Sequence, residues 1–324
     1  MAADLVIDGT TVTVDSDVSF DNEYIGNSST GTLNQSGGTN TVSSLLTLGS
    51  QSGSSGTYNL SGGSLSTNGA IIGDGGTGTF NQTGGTNAQF GNLFLGYSSG
   101  GSGTYNQTGG TNTVAGIFFL AHDSGSSGTY NLSGGNLSAG FGYVGRQGVG
   151  VFNQSGGIMR ISNNLQLGYY PGSSGTYNLS GGSLFAPAET IGVLVGGVGV
   201  FNQSGGTNTV TDFLALGYRS GSSGTYNLSG GSLVSAYESI GFQGLGTFYQ
   251  SGGINTVTGE LVVGDSTSGN GTYHLRGGSL AAPSEIIGSF GIGVFNQSGG
   301  TNTVTGDLRI GDQLNRSGDL PPKN

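Results

Sequence analysis

The sequence predicts an all-β chain folded as a parallel β-helix, a β-solenoid of about twelve coils of 22–25 residues with three short strands in each. Three observations predict it. One skeleton (aromatic, Asn, Leu or Gln, Ser or Thr, Gly, Gly) returns from Leu33 to Gly311. Within each copy apolar and polar residues alternate with period two, the period of a strand and not of a helix. The copies close on an apolar-Gly pair, with Leu120-Ala121 the one exception, and a corner rich in Gly and Ser leads into the next.

The copies start at Leu33, Tyr58, Phe80, Tyr105, Tyr130, Phe152, Tyr177, Phe201, Tyr226, Phe248, Tyr273 and Phe295. A repeat in the twenties marks a solenoid. Collagen needs Gly at every third position and abundant Pro, of which this chain has 5. A propeller blade needs a longer period and four strands. Parallel crossovers are right-handed in the great majority of sheets, so a right-handed helix is expected.

Each element follows from its residues. In Thr225-Tyr226-Asn227-Leu228, Tyr226 and Leu228 share one face and Thr225 and Asn227 the other. Gly230-Gly231 turns the chain, because Gly reaches positive φ without steric cost. A second strand follows at Ser232–Val234, and a third ends on Ile240-Gly241.

Two kinds of unit exist. Type A carries Leu at two positions flanking the Gly-Gly turn, as in Leu179 and Leu184; type B carries Gln and Asn, as in Gln203 and Asn208. The exchange is joint in Gln35/Asn40, Gln82/Asn87, Gln107/Asn112, Gln250/Asn255 and Gln297/Asn302, and is broken only by Gln154 with Met159. Both positions point inward by parity with the aromatic. A buried amide without a partner costs about 1–3 kcal/mol, so each Gln is expected to bond its Asn across the turn or to reach toward neighbouring coils. In type B the third strand reads L-x-L-G, as in Leu46 to Gly49 and Leu214 to Gly217. The Asn after the aromatic, replaced only by Tyr249 and His274, fits a stacked amide ladder. Asn59-Leu60-Ser61 and its kin also match the N-glycosylation acceptor pattern, but the repeat itself generates that match.

Residues 1–32 read as an atypical first coil. It holds Asp4, Asp8, Asp15, Asp17, Asp21 and Glu23, the charged edge that a solenoid needs at an open end. Residues 33–311 are uninterrupted repeats, and 312–324 read as a polar tail or linker. With 71 Gly, the chain would suggest disorder were it not for the strict period. Net charge is −10 with only 7 Lys and Arg, which argues against nucleic acid or an anionic membrane as partner. No run of eighteen apolar residues is present, so no membrane span is expected.

Chemistry-bearing residues are sparse. His122 and His274 are the only histidines and fit no metal or triad spacing. Asp74-Gly75-Gly76 lacks the nonapeptide spacing of calcium-binding rolls. No catalytic residue, metal or cofactor is expected. Glu189, Glu238 and Glu285 each lie three residues before the Gly that closes a type A coil, and should line up about 10 Å apart. They read as acids at a solvated corner, or as contacts to a glycan or cation. Tyr97, Tyr169 and Tyr218 recur just after type B third strands, where they fill corners or stack on sugars.

The motifs GTYNLSGGSL and FNQSGGTNTV with L-x-L-G resemble the β-strand repeats of bacterial autotransporter-associated and PEP-CTERM-type surface proteins, over roughly residues 30–311. The resemblance implies an exported, cell-surface or extracellular β-solenoid with a structural or adhesive role. The chain carries neither the C-terminal membrane segment with basic tail nor the outer-membrane barrel of such proteins. The expectation is thus a secreted, non-enzymatic rod that self-associates end to end or laterally, a filament subunit being one specific form. The rival is a polysaccharide-binding or polysaccharide-cleaving β-helix.

Overall fold

The computed structural model describes residues 3–311, and the expected tail at 312–324 lies outside them. The described chain is all strand and turn, arranged as a β-solenoid. One sheet stacks 13 parallel strands, one per coil, from Thr10–Val14 through Thr30–Gln35 and Ser223–Leu228 to Ile292–Gln297. The count exceeds the expected twelve because residues 5–25 form a full coil of their own, with strands Leu5–Ile7, Thr10–Val14, Val18–Phe20 and Glu23–Ile25. At about 4.8 Å per strand the rod is roughly 60 Å long.

The stacking is residue-for-residue. Tyr226 pairs with Phe201 in the coil before and Phe248 in the coil after, and Asn227 with Asn202 and Tyr249. Alternation buries the aromatic and the Leu or Gln two residues on, as the period-two pattern requires. Eleven rings from Tyr58 to Phe295 therefore form one internal stack with centroids 4.6–5.2 Å apart. Beside it runs the expected amide ladder. Asn59 Nδ2 donates to Asn34 Oδ1 at 2.7 Å, and the chain of bonds continues to Asn227 at 2.8 Å. The amide nitrogens of Asn59 through Asn227 that glycosylation would need donate within this ladder.

The second and third strands are not always separate, contrary to the sequence expectation. Thr207–Leu216 and Ser232–Ile240 are each continuous, and they bend at a bulge where the register shifts between Val210 and Phe213. The strand therefore keeps pairing while changing direction. The type B strand has one residue more than its type A neighbour at this point, 10 against 9. That residue and a longer corner account for the alternation of 25- and 22-residue steps.

The Gly-Gly turn holds for the reason expected. Gly231 has φ +79°, and a Cβ on Gly230 would sit 2.5 Å from the Ser204 carbonyl oxygen of the preceding coil. The Gly that closes each coil also has positive φ, with one substitution: Ala121, at φ 57°, follows Leu120 where other coils have Gly.

The first coil lacks Gly-Gly and uses aspartates in its place. Asp17 Oδ1 accepts from Thr39 N at 2.7 Å, a bond that Ser64 N makes to the Gly38 carbonyl one coil later. Asp8 accepts from Ser28 and Ser29 N, and these bonds hold its carboxyl below the usual range despite some desolvation. Glu23 does not belong to this charged edge. It is buried inside the coil, where its carboxylate meets Asn40.

Candidate functional site

The polar residues that the sequence singles out converge inside the rod. In each type B coil the Gln and the Asn point inward as expected, but they do not bond each other. Where a described coil follows, they meet on a third group, the tyrosine hydroxyl of that coil. Tyr226 donates to Gln203 Oε1 at 2.6 Å and accepts from Asn208 Nδ2 at 3.3 Å. Gln203 Nε2 donates to the Ser232 carbonyl of that same coil at 2.9 Å. Tyr58, Tyr105, Tyr130 and Tyr273 make the equivalent pair of bonds. Tyr177 donates to Gln154 alone, because Met159 stands where the Asn would be.

This explains which units start with Tyr and which with Phe. Every Gln from Gln35 to Gln250 is followed, one coil later, by Tyr; every Leu at that position, from Leu60 to Leu275, is followed by Phe. Tyr105 shows that the rule belongs to the junction and not to the unit type. It starts a type B unit, yet it is Tyr because Gln82 lies beneath it. The pattern is visible in the sequence, and reading units one at a time conceals it.

The glutamates complete the arrangement. The expected solvated corner is corrected: Glu189 is 0% exposed, and Glu238 and Glu285 are 1% exposed. Asn208 Nδ2 donates to Glu189 Oε2 at 3.0 Å, Asn255 to Glu238 Oε2 at 3.0 Å and Asn302 to Glu285 Oε2 at 3.0 Å. Glu23 is a fourth member through Asn40, at 2.8 Å. Each of these four Glu precedes a coil that supplies an Asn, and none of the four lies before a coil with Leu or Met there. Asn87 and Asn112 do without one, since Ala70 and Leu93 occupy the equivalent place.

Glu189 Oε1 and Asn208 Oδ1 are both buried acceptors without a donor, as are Glu23 Oε2 with Asn40 Oδ1 and Glu285 Oε1 with Asn302 Oδ1. A proton on each carboxyl would supply a donor there, because a carboxylic acid can donate one hydrogen bond to a carboxamide and accept another from it. Burial drives the same way. It pushes Glu189 up to about 8 and Glu23 and Glu238 up to about 7, against the pull of the amide bonds, and raises Glu285 as well. Burial also keeps the partner phenols protonated, with Tyr226 well above its ordinary range.

The three corner tyrosines do lie on the outside, half-buried, and each packs against neighbouring rings. Tyr97 stacks on His122 at 4.8 Å and meets Phe94 edge-on at 4.9 Å. Tyr169 meets Tyr143 and Tyr170 edge-on at 5.1 and 4.7 Å. Tyr218 stacks on Phe242 at 5.2 Å, with the Arg219 guanidinium 5.0 Å from its centroid. These contacts hold each ring in its corner. His122 Nδ1 pairs with Asp123 at 2.8 Å within its own corner. An apolar groove of about 560 Å³ lies along these corners, between Tyr170, Pro171, Leu194, Val195 and Arg219, and no carboxylate lines it. Among the described residues no cluster of His, Asp and Glu could hold a metal, and no helix is long and apolar enough to cross a membrane.

No family model matches the chain, and no curated protein or solved structure is significantly similar to it.

Proposed function

We propose that the chain is a non-enzymatic structural or adhesive element that acts outside the cell, a stiff rod whose contacts with other molecules are made by stacking coil on coil. One observation carries this reading. Glu189, Gln203, Asn208 and Tyr226, like their counterparts in other coils, are turned inward, where they bond the coil below to the coil above. Such a rod gains stability from each neighbour contact along its length. Its ends present strand edges that can pair with another edge by backbone hydrogen bonds. The resemblance of its repeat motifs to those of exported surface proteins supports a location at the cell surface or beyond.

Light scattering across a concentration series, with negative-stain images of the same samples, tests the reading. Rod-shaped particles one coil wide, single or joined end to end, are expected. Globular aggregates, or turnover of a polysaccharide by the purified chain, would overturn it. A filament of this chain alone is the narrowest form of the proposal, and it requires that the two ends match.

A further inference from the structure

The last described coil is of type B. It carries Gln297 and Asn302 with no coil above them among the described residues. Gln297 Nε2 donates to Gly300 O at 3.3 Å, as other glutamines do within their own turns, but no phenol reaches its Oε1. Asn302 donates to Glu285, and its own Oδ1 and Glu285 Oε1 are buried without a donor. These groups line an open cavity of about 430 Å³ with Val294, Phe295 and Ile310. Ile310 is 78% exposed, whereas Ile240, in the same register of an inner coil, is 0% exposed.

Six inner junctions show what such a surface takes. A Gln below is covered by a strand that brings a tyrosine hydroxyl to its Oε1, and in five of the six an Asn beside that tyrosine extends the amide ladder, His274 standing there in the sixth. Asn296 stands at the ladder position of the last coil. Two candidates on the chain itself fail this requirement. Residues 312–324 contain no aromatic residue. The first coil, which a second copy would offer head to tail, has Val12 and Thr13 in the register of the aromatic and the Asn.

We propose that the C-terminal edge of the rod, around Ile292–Gln297 with Asn302 and Glu285, is a docking surface for a partner β-solenoid whose exposed coil carries Gly-Thr-Tyr-Asn, and that the first coil of a second copy does not fit it. The proposal rests on coil stacking as the mode of contact and replaces the identical partner with a tyrosine-bearing one.

The test uses the full chain and a labelled peptide of residues 223–241, whose strand is Ser223–Leu228, with a second peptide bearing Tyr226→Phe. Fluorescence anisotropy should show the tyrosine peptide binding about tenfold more tightly, the size of one buried hydrogen bond. In chain carrying Gln297→Leu and Asn302→Leu, which copies the inner pair Leu228 and Leu233, the preference should vanish. Equal binding of both peptides, a preference that survives the two substitutions, or binding of neither would overturn the proposal. The peptide change leaves the protein untouched, so a folding defect cannot mimic the first result. Filaments of the chain alone, without a tyrosine preference, would overturn it while leaving coil stacking intact. Absence of both would remove coil stacking as well.

Discussion

The carboxyl of Glu189 carries the sharpest consequence at the scale of a residue. Its folded pKa, raised from 4.5 to about 8, means that the folded chain holds this proton more tightly than the unfolded chain does. Between these two values the native state binds more protons, so stability falls as pH rises. The contribution is intact below about pH 4.5 and lost by about pH 8, at about 1.4 kcal/mol for each pH unit by which the pKa is raised. Glu23 and Glu238 act the same way up to about 7. Glu189→Gln keeps both hydrogen bonds of a protonated acid and never ionises. Urea melts should find it near wild type at pH 5 and more stable than wild type, by a few kcal/mol, at pH 8.5. An equal effect at both pH values would mean that Glu189 is not protonated in the fold.

Ala121 offers a simpler test at the same scale. It alone among the described non-glycine residues has positive φ, where other coils close on Gly. Left-handed backbone costs an L-residue about 1–2 kcal/mol. Ala121→Gly should therefore raise stability by roughly 1 kcal/mol, less the entropy Gly gains on unfolding. A melt with no gain would show that the neighbouring coils relieve the strain.

At the scale of an element the unit of design is the junction between two strands, not the strand. Tyr226→Phe removes the donor to Gln203 and an acceptor for Asn208, which leaves two buried amides to find partners. The expected loss is about 1–3 kcal/mol. Gln203→Leu alone should cost a similar amount, because Tyr226 and Asn208 keep their needs. Changing Gln203, Asn208 and Glu189 to Leu together with Tyr226→Phe reproduces the apolar junction seen at Leu228, Leu233, Leu214 and Phe248. This quadruple variant should recover most of the single-mutant loss in a denaturant melt. Losses that simply add would mean that the four groups do not act as one.

Across the whole molecule the amides should divide by position along the rod. Strand Ser174–Leu179 is covered on both sides by paired strands, whereas Ile292–Gln297 has a partner only at Tyr273's strand among the described residues. Hydrogen exchange should be slowest in the central coils and fastest in the last one, because contacts reach only the neighbouring coil. Uniform protection from end to end would indicate that the terminal edge is covered in solution. That result would itself favour a partner at the C-terminal edge.

How much of this was legible depends on how local each signal is. The repeat unit, the inward aromatic, the Gly-Gly turn and the amide ladder follow from residues within one copy, since strand parity and positive φ are set by near neighbours. The inward Gln and Asn were legible for the same reason. The direction of Glu238 was not, because parity counted from Leu233 turns it outward and parity counted back from Ile240 turns it inward. The bulge between Ser235 and Tyr237 decides for the second count. The signal for it was present: Glu238 stands three residues before its closing Gly, as Leu214 does. The sequence by itself therefore determined the coil and its in-register stacking, because identical units bury their apolar faces only against each other. Only the tertiary structure decided which polar groups share a proton or a hydroxyl, because those bonds cross from one coil to the next and join residues 17 to 29 positions apart.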